Sequence, residues 1–425
     1  MKSKKKFQKN KLPVFLISGK SPVTKPGGYA AYSHNLAKVF IKLGHKVYII
    51  AQGDKNNITK TKIGDEHLVN SSLIDKLPFF KSLELAALPF FSYLFVKEIE
   101  KIIVKNKIDK FIVWGAGPWS YAGVSIKNKF KNRVKFIVSY FTTFPHEMRG
   151  SYNAINVADY GFVTKLKYFV VLNVVAKMYA RLENSIVHTC DIVACHYNST
   201  KKILKKEFSL PNKKMNKIAY YVEIFQRNDK KTKEDLKLEK SLSKVFKTKK
   251  TLVIICRQDP RKGINFLLRA FKTVREKTDN IKLIMVGSGS MFKSNQKLAK
   301  KLGISSDVIF TGFVSDFKTI LKKSDVFVFP AVEEGSGSLS ILEAMKEGKA
   351  IITTKCDGIP EDIVNRKDGI LVPMLDEHSL SDAILEVINN PKLIKKLGNN
   401  AKKAYISKFS FDYMKKDVEK LLSTI

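Results

Sequence analysis

The chain alternates short, unbroken apolar runs with longer stretches in which apolar residues return every three or four positions. Runs such as Val14-Phe15-Leu16-Ile17, Phe111-Ile112-Val113-Trp114, Phe136-Ile137-Val138-Ser139-Tyr140, Thr251–Cys256 and Val326-Phe327-Val328-Phe329 are rich in β-branched and aromatic residues. They predict strands buried on both faces. Segments such as Tyr32–Leu43 and Ile264–Val274 carry the helical period instead. Strands and helices that alternate in this way predict an α/β protein built on parallel sheets. In the first half, Val14–Ile17, the Gly27-Gly28 loop, the helix Tyr32–Leu43 ended by Gly44, and Val47–Ala51 make one β-loop-α-β unit. Ile192-Val193-Ala194 and Ile218-Ala219-Tyr220 add further strands, and a second series starts at Thr251. Between the halves, Gln226–Lys250 is highly charged, with a short helical pattern at Leu236–Phe246, and reads as a linker region; Pro391–Ile425 is helical.

Two strand ends carry candidate chemistry. The strand Val326–Phe329 stops at Pro330, and Glu333-Glu334-Gly335-Ser336-Gly337-Ser338-Leu339 leads into a helix that holds Glu343. Glycines at 335 and 337 allow a sharp bend and close approach to a ligand. Amides at the helix start favour an anion or a sugar hydroxyl, and Glu334 and Glu343 supply acceptor oxygens for sugar or ribose hydroxyls. After Thr251–Cys256 come Arg257-Gln258-Asp259-Pro260-Arg261-Lys262-Gly263. Arg257 and Lys262 thus lie at the carboxyl edge of a strand, where open α/β sheets bind ligands, and a guanidinium fork with a compact ammonium suits a diphosphate. Gly27-Gly28 lacks the G-x-G-x-x-G spacing of a dinucleotide site, which argues against hydride transfer.

These segments resemble the GT4 family of retaining, nucleotide-sugar-dependent glycosyltransferases. The resemblance is carried in order by Cys256-Arg257 to Arg261-Lys262-Gly263-Ile264, Met285-Val286-Gly287-Ser288-Gly289, Val308–Val314, the Pro330–Met345 segment, Asp357-Gly358-Ile359-Pro360-Glu361 and Asp368-Gly369-Ile370-Leu371-Val372. Phe409-Ser410-Phe411 is similar to the family's signature before the last helix, with phenylalanine in place of tryptophan, and coverage runs from about Leu252 to Leu422. The resemblance implies the GT-B fold: α/β, two facing Rossmann-like doubly wound domains with an interdomain cleft. It divides the chain into an acceptor-binding domain at 1–225, a linker at 226–250, a nucleotide-sugar domain at 251–405 and a helix at 406–425 that packs back on the first domain.

The implied activity moves a sugar from a nucleotide diphosphate sugar to a glycan or lipid-linked acceptor, with retention and without a metal or cofactor. Arg257 and Lys262 would neutralise the diphosphate leaving group. Glu343 would hold the ribose, while Glu334 and the backbone of Gly335, Ser336, Gly337, Ser338 and Leu339 would hold sugar and phosphate. The base would lie near Gly312-Phe313-Val314, Gly287 would be among the donor-binding residues, and Gly27 and Gly28 would approach the donor phosphate and acceptor. Two departures matter. The family separates its two glutamates by seven residues, so either the turn after Glu334 has one extra residue or Gly335 takes the first acidic position. The family's histidine after the strand Phe136–Tyr140 is replaced by Phe141, and His146, in the loop Phe141–Glu147, is a candidate substitute that orients a hydroxyl or shares a proton with Glu147.

Composition widens the picture on one side only. With 425 residues, 44% hydrophobic content and 11% aromatics, the chain has material for two or three folded domains. Cys190, Cys195, Cys256 and Cys356 have no metal-ligand or disulfide spacing and read as reduced core residues of a cytoplasmic protein. The 77 Lys and Arg against 39 Asp and Glu leave +38, a surface drawn to polyanions. No zinc, helix-turn-helix or aromatic RNA-binding signature accompanies that charge, which turns the reading from nucleic acid toward the anionic inner face of a membrane. No apolar run reaches the roughly 18 residues of a membrane span, and the basic start Met1–Phe7 leads into a strand, not a signal-peptide core. Leu77–Val96 and the lysine-flanked Tyr168–Tyr179 are each either core helices or membrane-surface segments. Two further readings stand beside the enzyme: a catalytically inactive GT-B-shaped interaction subunit, and a nucleotide-sugar epimerase.

Overall fold

The computed structural model describes residues 11–24, 27–70, 88–158, 160–221, 233–314 and 316–424. Two compact units emerge. The first comprises Met1–Thr143, Met178–Phe225 and Phe409–Ile425; the second comprises Phe144–Lys177 and Gln226–Lys408. The expected first domain, 1–225, is therefore interrupted: Phe144–Lys177 packs with the second unit, where the helix Phe144–Val157 lies against the turn Pro260–Lys262.

In the first unit the strands are β1 (Val14–Lys20), β2 (Val47–Gly53), β3 (Asn57–Thr61), β4 (Gly64–Asn70), β5 (Phe111–Ala116), β6 (Val134–Tyr140), β7 (Ile192–Cys195) and β8 (Met215–Lys217). They form one sheet in the order β3-β4-β2-β1-β5-β6-β7-β8, parallel except for β3. Phe15, Ile17, Ile50, Phe111, Val113, Phe136 and Val138 build its core with Phe95, Ile99 and Ile103 of the helix Leu88–Asn106. In the described part of Leu77–Val96 one face is core, with Leu88, Phe91 and Phe95 buried, and the other carries Phe90 and Tyr93 exposed, while 77–87 lie outside the described residues. The β3–β4 hairpin is an element that the apolar pattern did not reveal, because β3 is solvent-facing along its length.

The expected strand Ile218–Tyr220 falls three residues earlier, as β8. The Ile218 amide still donates to the Cys195 carbonyl at 3.0 Å, and after it side chains take over: the Ile218 carbonyl meets His196 Nδ1 at 3.2 Å and the Ala219 amide donates to Asp417 Oδ2 at 2.7 Å. Asp417 belongs to the terminal helix Phe411–Leu422, whose N-cap Ser410 accepts from the Tyr413 amide at 3.1 Å.

The second unit holds β9 (Lys250–Ile255), β10 (Ile281–Val286), β11 (Val308–Gly312), β12 (Val326–Phe329), β13 (Ala350–Thr354) and β14 (Ile370–Val372), all parallel, in the order β11-β10-β9-β12-β13-β14. The helix Lys233–Thr248 precedes β9, and 226–232 of the expected linker lie outside the described residues. Strand order reverses direction between β9 and β12 here, and between β1 and β5 in the first sheet. At such switch points the loops leaving neighbouring strands diverge and open a crevice at the carboxyl edge. All four cysteines are free, and Cys190, Cys195 and Cys356 are buried. Among the described residues no helix is long and apolar enough to cross a membrane.

Candidate active site

The loops leaving β9 and β12 meet at the switch point of the second unit. After β9 the chain makes a tight turn at Pro260–Lys262 and enters the helix Ile264–Lys277 through Gly263, whose φ of 66° is left-handed. Glycine is required there, because a Cβ would come within 1.9 Å of the Pro330 carbonyl oxygen. That close approach sets Lys262 against the β12 loop. Its ammonium pairs with Glu334 and lies 5.4 Å from the Phe329 ring centroid, and both partners of the ion pair are buried.

Arg261, one residue earlier, keeps about an eighth of its side chain exposed, 12%, and faces two carboxylates, Glu333 and Glu147, each at 3.3 Å. Its carbonyl accepts from the Val332 amide at 2.8 Å, so backbone and side chain together staple the two loops. Burial pushes the Glu333 carboxyl up from its ordinary value; Arg261 opposes that shift and the nearby Glu147 charge reinforces it.

Asp357, in the loop after β13, organises the turn that follows. Its Oδ2 accepts from the amides of Glu334 and Gly335 at 3.0 and 2.9 Å, and its carboxylate lies 3.2 Å from His146 Nε2. Burial alone would raise the Asp357 pKa, but His146 and the two amides outweigh it and hold the group down at about 2. His146 Nε2 is also 3.7 Å from Glu333 Oε1. His146, Glu333 and Asp357 could together hold a metal ion, their ligand atoms all lying within 4.8 Å of one another. In the geometry described, Arg261 and the two backbone amides already answer those carboxylates.

His146 and Glu147 lie in the first turn of the helix Phe144–Val157 and not in a loop as expected. Adjacent helical residues point apart: His146 turns to Asp357 and Glu147 to Arg261. The helix approaches so closely that a Cβ at Gly150 would lie 2.2 Å from Glu333 Cβ. Gly150→Ala is therefore expected to cost about 1–3 kcal/mol by overpacking, measured by urea unfolding; an unchanged midpoint would show that the helix is not latched to this loop.

The remaining candidates divide by environment. Arg257 is 69% exposed at its side chain and pairs with Asp259, so the structure does not place it beside Lys262 in the buried site. Gly287, with φ 118°, donates its amide to the Gly312 carbonyl at 2.8 Å, and a Cβ there would lie 2.0 Å from the Cys256 carbonyl oxygen. Gln258 ties these loops together, donating to the Gly287 carbonyl at 2.9 Å and accepting from Asn295 at 2.8 Å. Phe313 is 68% exposed while Val314 is buried. Gly335 has a left-handed φ of 66°, and Ser336, Gly337 and Ser338 lead to the helix Leu339–Lys346, whose Glu343 is buried. In the first unit, Gly27 and Gly28 open the helix Gly28–Lys42 beyond β1, and open space surrounds the place of a Cβ at Gly27. Phe141 stacks on His196 at 5.0 Å inside a cluster with Tyr29, Tyr32 and Tyr220, and burial pulls His196 down to about 3, which keeps it neutral. Arg261, Glu333 and Asp357 were not singled out from the sequence. Their local signals are the adjacency of Arg261 to Lys262 and of Glu333 to Glu334, and the place of Asp357 at the head of Asp357-Gly358-Ile359-Pro360-Glu361.

Two parallel-sheet Rossmann-like units, with buried charge at the switch point of the second, define the GT-B architecture. The Glycosyltransferase Family 4 model matches residues 26–219 and the Glycosyl transferases group 1 model matches residues 236–404. Together the two models match most of the chain, which belongs to the GT-B glycosyltransferase family. It is 24% identical over 417 residues to an uncharacterized glycosyltransferase of Methanocaldococcus jannaschii, covering 96% of each chain. It is 26% identical to the capsular polysaccharide biosynthesis glycosyltransferase CapM of Staphylococcus aureus, over 62% of this chain and 67% of that protein. Among solved structures it is similar to sucrose-phosphate synthase of Thermosynechococcus elongatus, with a TM-score of 0.75 at 15% identity, covering 97% of this chain and 99% of that one. It is also similar to Anabaena HepE in complex with UDP and glucose, with a TM-score of 0.67 at 16% identity, covering 97% and 100%.

Proposed function

We propose that this protein transfers a sugar from a nucleotide diphosphate sugar to a glycan or lipid-linked acceptor in cell-envelope polysaccharide synthesis, with retention and without a metal. The observation that carries the reading is the buried Lys262–Glu334 pair at the β9/β12 switch point, one turn before the helix Leu339–Lys346. A developing diphosphate needs positive charge held in a low-dielectric place before the bond breaks. Lys262 supplies that charge, Glu334 fixes its position, and the first amides of the helix add donors along the same loop. Glu343, shielded from water four residues into this helix, accepts from the ribose hydroxyls. Retention rests on the resemblance to GT4 enzymes. The polysaccharide setting draws on the likeness to CapM, and a uridine nucleotide on the likeness to HepE, whose structure holds UDP and glucose.

The inactive-subunit reading has two specific features in its favour: Phe141 where the family carries histidine, and the extra residue between Glu334 and Glu343. A thermal-shift panel of UDP-, GDP- and ADP-sugars separates the two readings, because a ligand bound to the native state alone raises the melting temperature. One nucleotide class is expected to stabilise the protein, and its sugar to be released or transferred. Glu343→Gln is expected to weaken that nucleotide about ten- to a hundredfold, the loss of hydrogen bonds to a charged acceptor. If no nucleotide sugar stabilises or is turned over, the enzyme reading fails and the subunit reading stands.

A further inference from the structure

The helix Phe162–Val170 continues through a π-helical turn at Val171–Val175 into the helix Ala176–Thr189. A surface helix ordinarily shows water its polar face. Here the apolar residues face outward. Phe162 and Val163 are 77% and 79% exposed, and Leu166, Phe169, Val170 and Val174 are exposed as well. No residue of Phe162–Val170 is buried. At about 100° per residue, Phe162, Val163, Leu166, Phe169 and Val170 share an arc of roughly 120°, and Lys165 and Lys167 fall on its two borders. Lys177 extends the basic edge one turn beyond Val174 and is exposed.

We propose that this face docks on the surface of an anionic lipid bilayer, the helix lying in the plane of the interface. An apolar arc bordered by lysines matches that environment. The phenylalanines and aliphatic side chains enter the acyl boundary, and the lysine stems run along it with their ammonium groups among lipid phosphates. The occupant follows from charge. The chain carries +38, so a second copy of itself would bring like charge to the same borders, whereas an anionic leaflet is complementary. Contiguous exposed apolar area of this kind otherwise carries a cost in water. The inference is independent of which sugar or acceptor the enzyme uses.

The test is sedimentation of the full-length protein with two kinds of vesicle: phosphatidylcholine alone, and phosphatidylcholine mixed with phosphatidylglycerol. The protein is expected to sediment with the anionic vesicles, to remain in solution with the neutral ones, and to be released by salt. The double variant Phe162→Ser/Phe169→Ser and the double variant Lys165→Glu/Lys167→Glu are each expected to reduce the bound fraction about tenfold. Their thermal melts should match the unaltered protein, since none of these side chains is buried. The proposal is overturned if the unaltered protein ignores anionic vesicles, or if the phenylalanine variant binds them as well as the parent. A concentration-dependent dimer that the phenylalanine variant abolishes, with no vesicle binding, would overturn it too and assign the face to a second copy.

Discussion

Lys262→Ala is expected to lower sugar transfer about a hundred- to a thousandfold, with the larger part of the loss in kcat. The magnitude is that of removing one preorganised charge from a water-excluded site where negative charge develops. Lys262 is placed to act in this way by three features: the Gly263 turn against the Pro330 carbonyl, the ion pair with Glu334, and the Phe329 ring beneath its ammonium. Arginine should restore little, because a planar fork does not fit the space of a compact ammonium packed over a ring. The melting temperature of each variant separates a chemical loss from a folding defect, since Lys262→Ala also leaves Glu334 buried without its partner. Transfer within about threefold of the parent, with an unaltered melt, would remove the diphosphate from Lys262 and with it the mechanism proposed above.

Arg261→Ala should produce the largest loss of stability, about 3–5 kcal/mol, the cost of stranding a buried charge. Two carboxylates depend on this guanidinium, Glu333 and Glu147, and Glu333 has almost no contact with water. For a unit of this size the loss corresponds to roughly 10 °C in melting temperature. The deficit should also depend on pH in a definite direction. Burial raises the Glu333 pKa above its ordinary 4.5, so the folded state binds the proton more tightly than the unfolded chain. Stability then falls as pH rises from 4.5 through the raised value, and it recovers as pH is lowered and the carboxyl becomes neutral. Removing Arg261 widens that window. Urea unfolding of parent and variant should show a gap that is largest above neutral pH and narrows toward pH 5, and a gap independent of pH would separate Glu333 from the effect.

The order of strands and helices was legible along the chain because burial on both faces leaves continuous apolar runs, and one-face burial leaves a helical period. β9, β12 and the helix after each followed directly, and so did the two loops that carry Lys262 and Glu334. β3 was not legible, since a strand exposed along its length leaves no apolar trace. β8 was displaced from the apolar triplet Ile218–Tyr220 because His196 and Asp417 capture backbone groups there. Two greasy segments that look alike in sequence also part company. From Leu88 onward the first lays Leu88, Phe91 and Phe95 into the sheet core, while Tyr168–Tyr179 divides, with Phe169, Val170, Val174 and Met178 exposed and Ala176 and Tyr179 buried; only the surroundings of a helix decide which face is covered.

The amino-acid sequence by itself determined the α/β class, the two strand-ending loops of the second unit, and the cationic and acidic residue types at their tips. Local pattern and turn chemistry act over a few residues, and those features are local. The tertiary structure decided which charges meet. It exposed Arg257 beside Asp259, set Arg261 between Glu147 and Glu333, and gave Lys262 to Glu334. It brought His146 to Asp357 across 211 positions of chain, and Asp357 to the amides of the Glu334–Gly335 turn. Those pairings arise because a parallel sheet reverses its strand order at β9/β12 and sets distant loops side by side. The strength of each charge then depends on how much water the packing leaves around it.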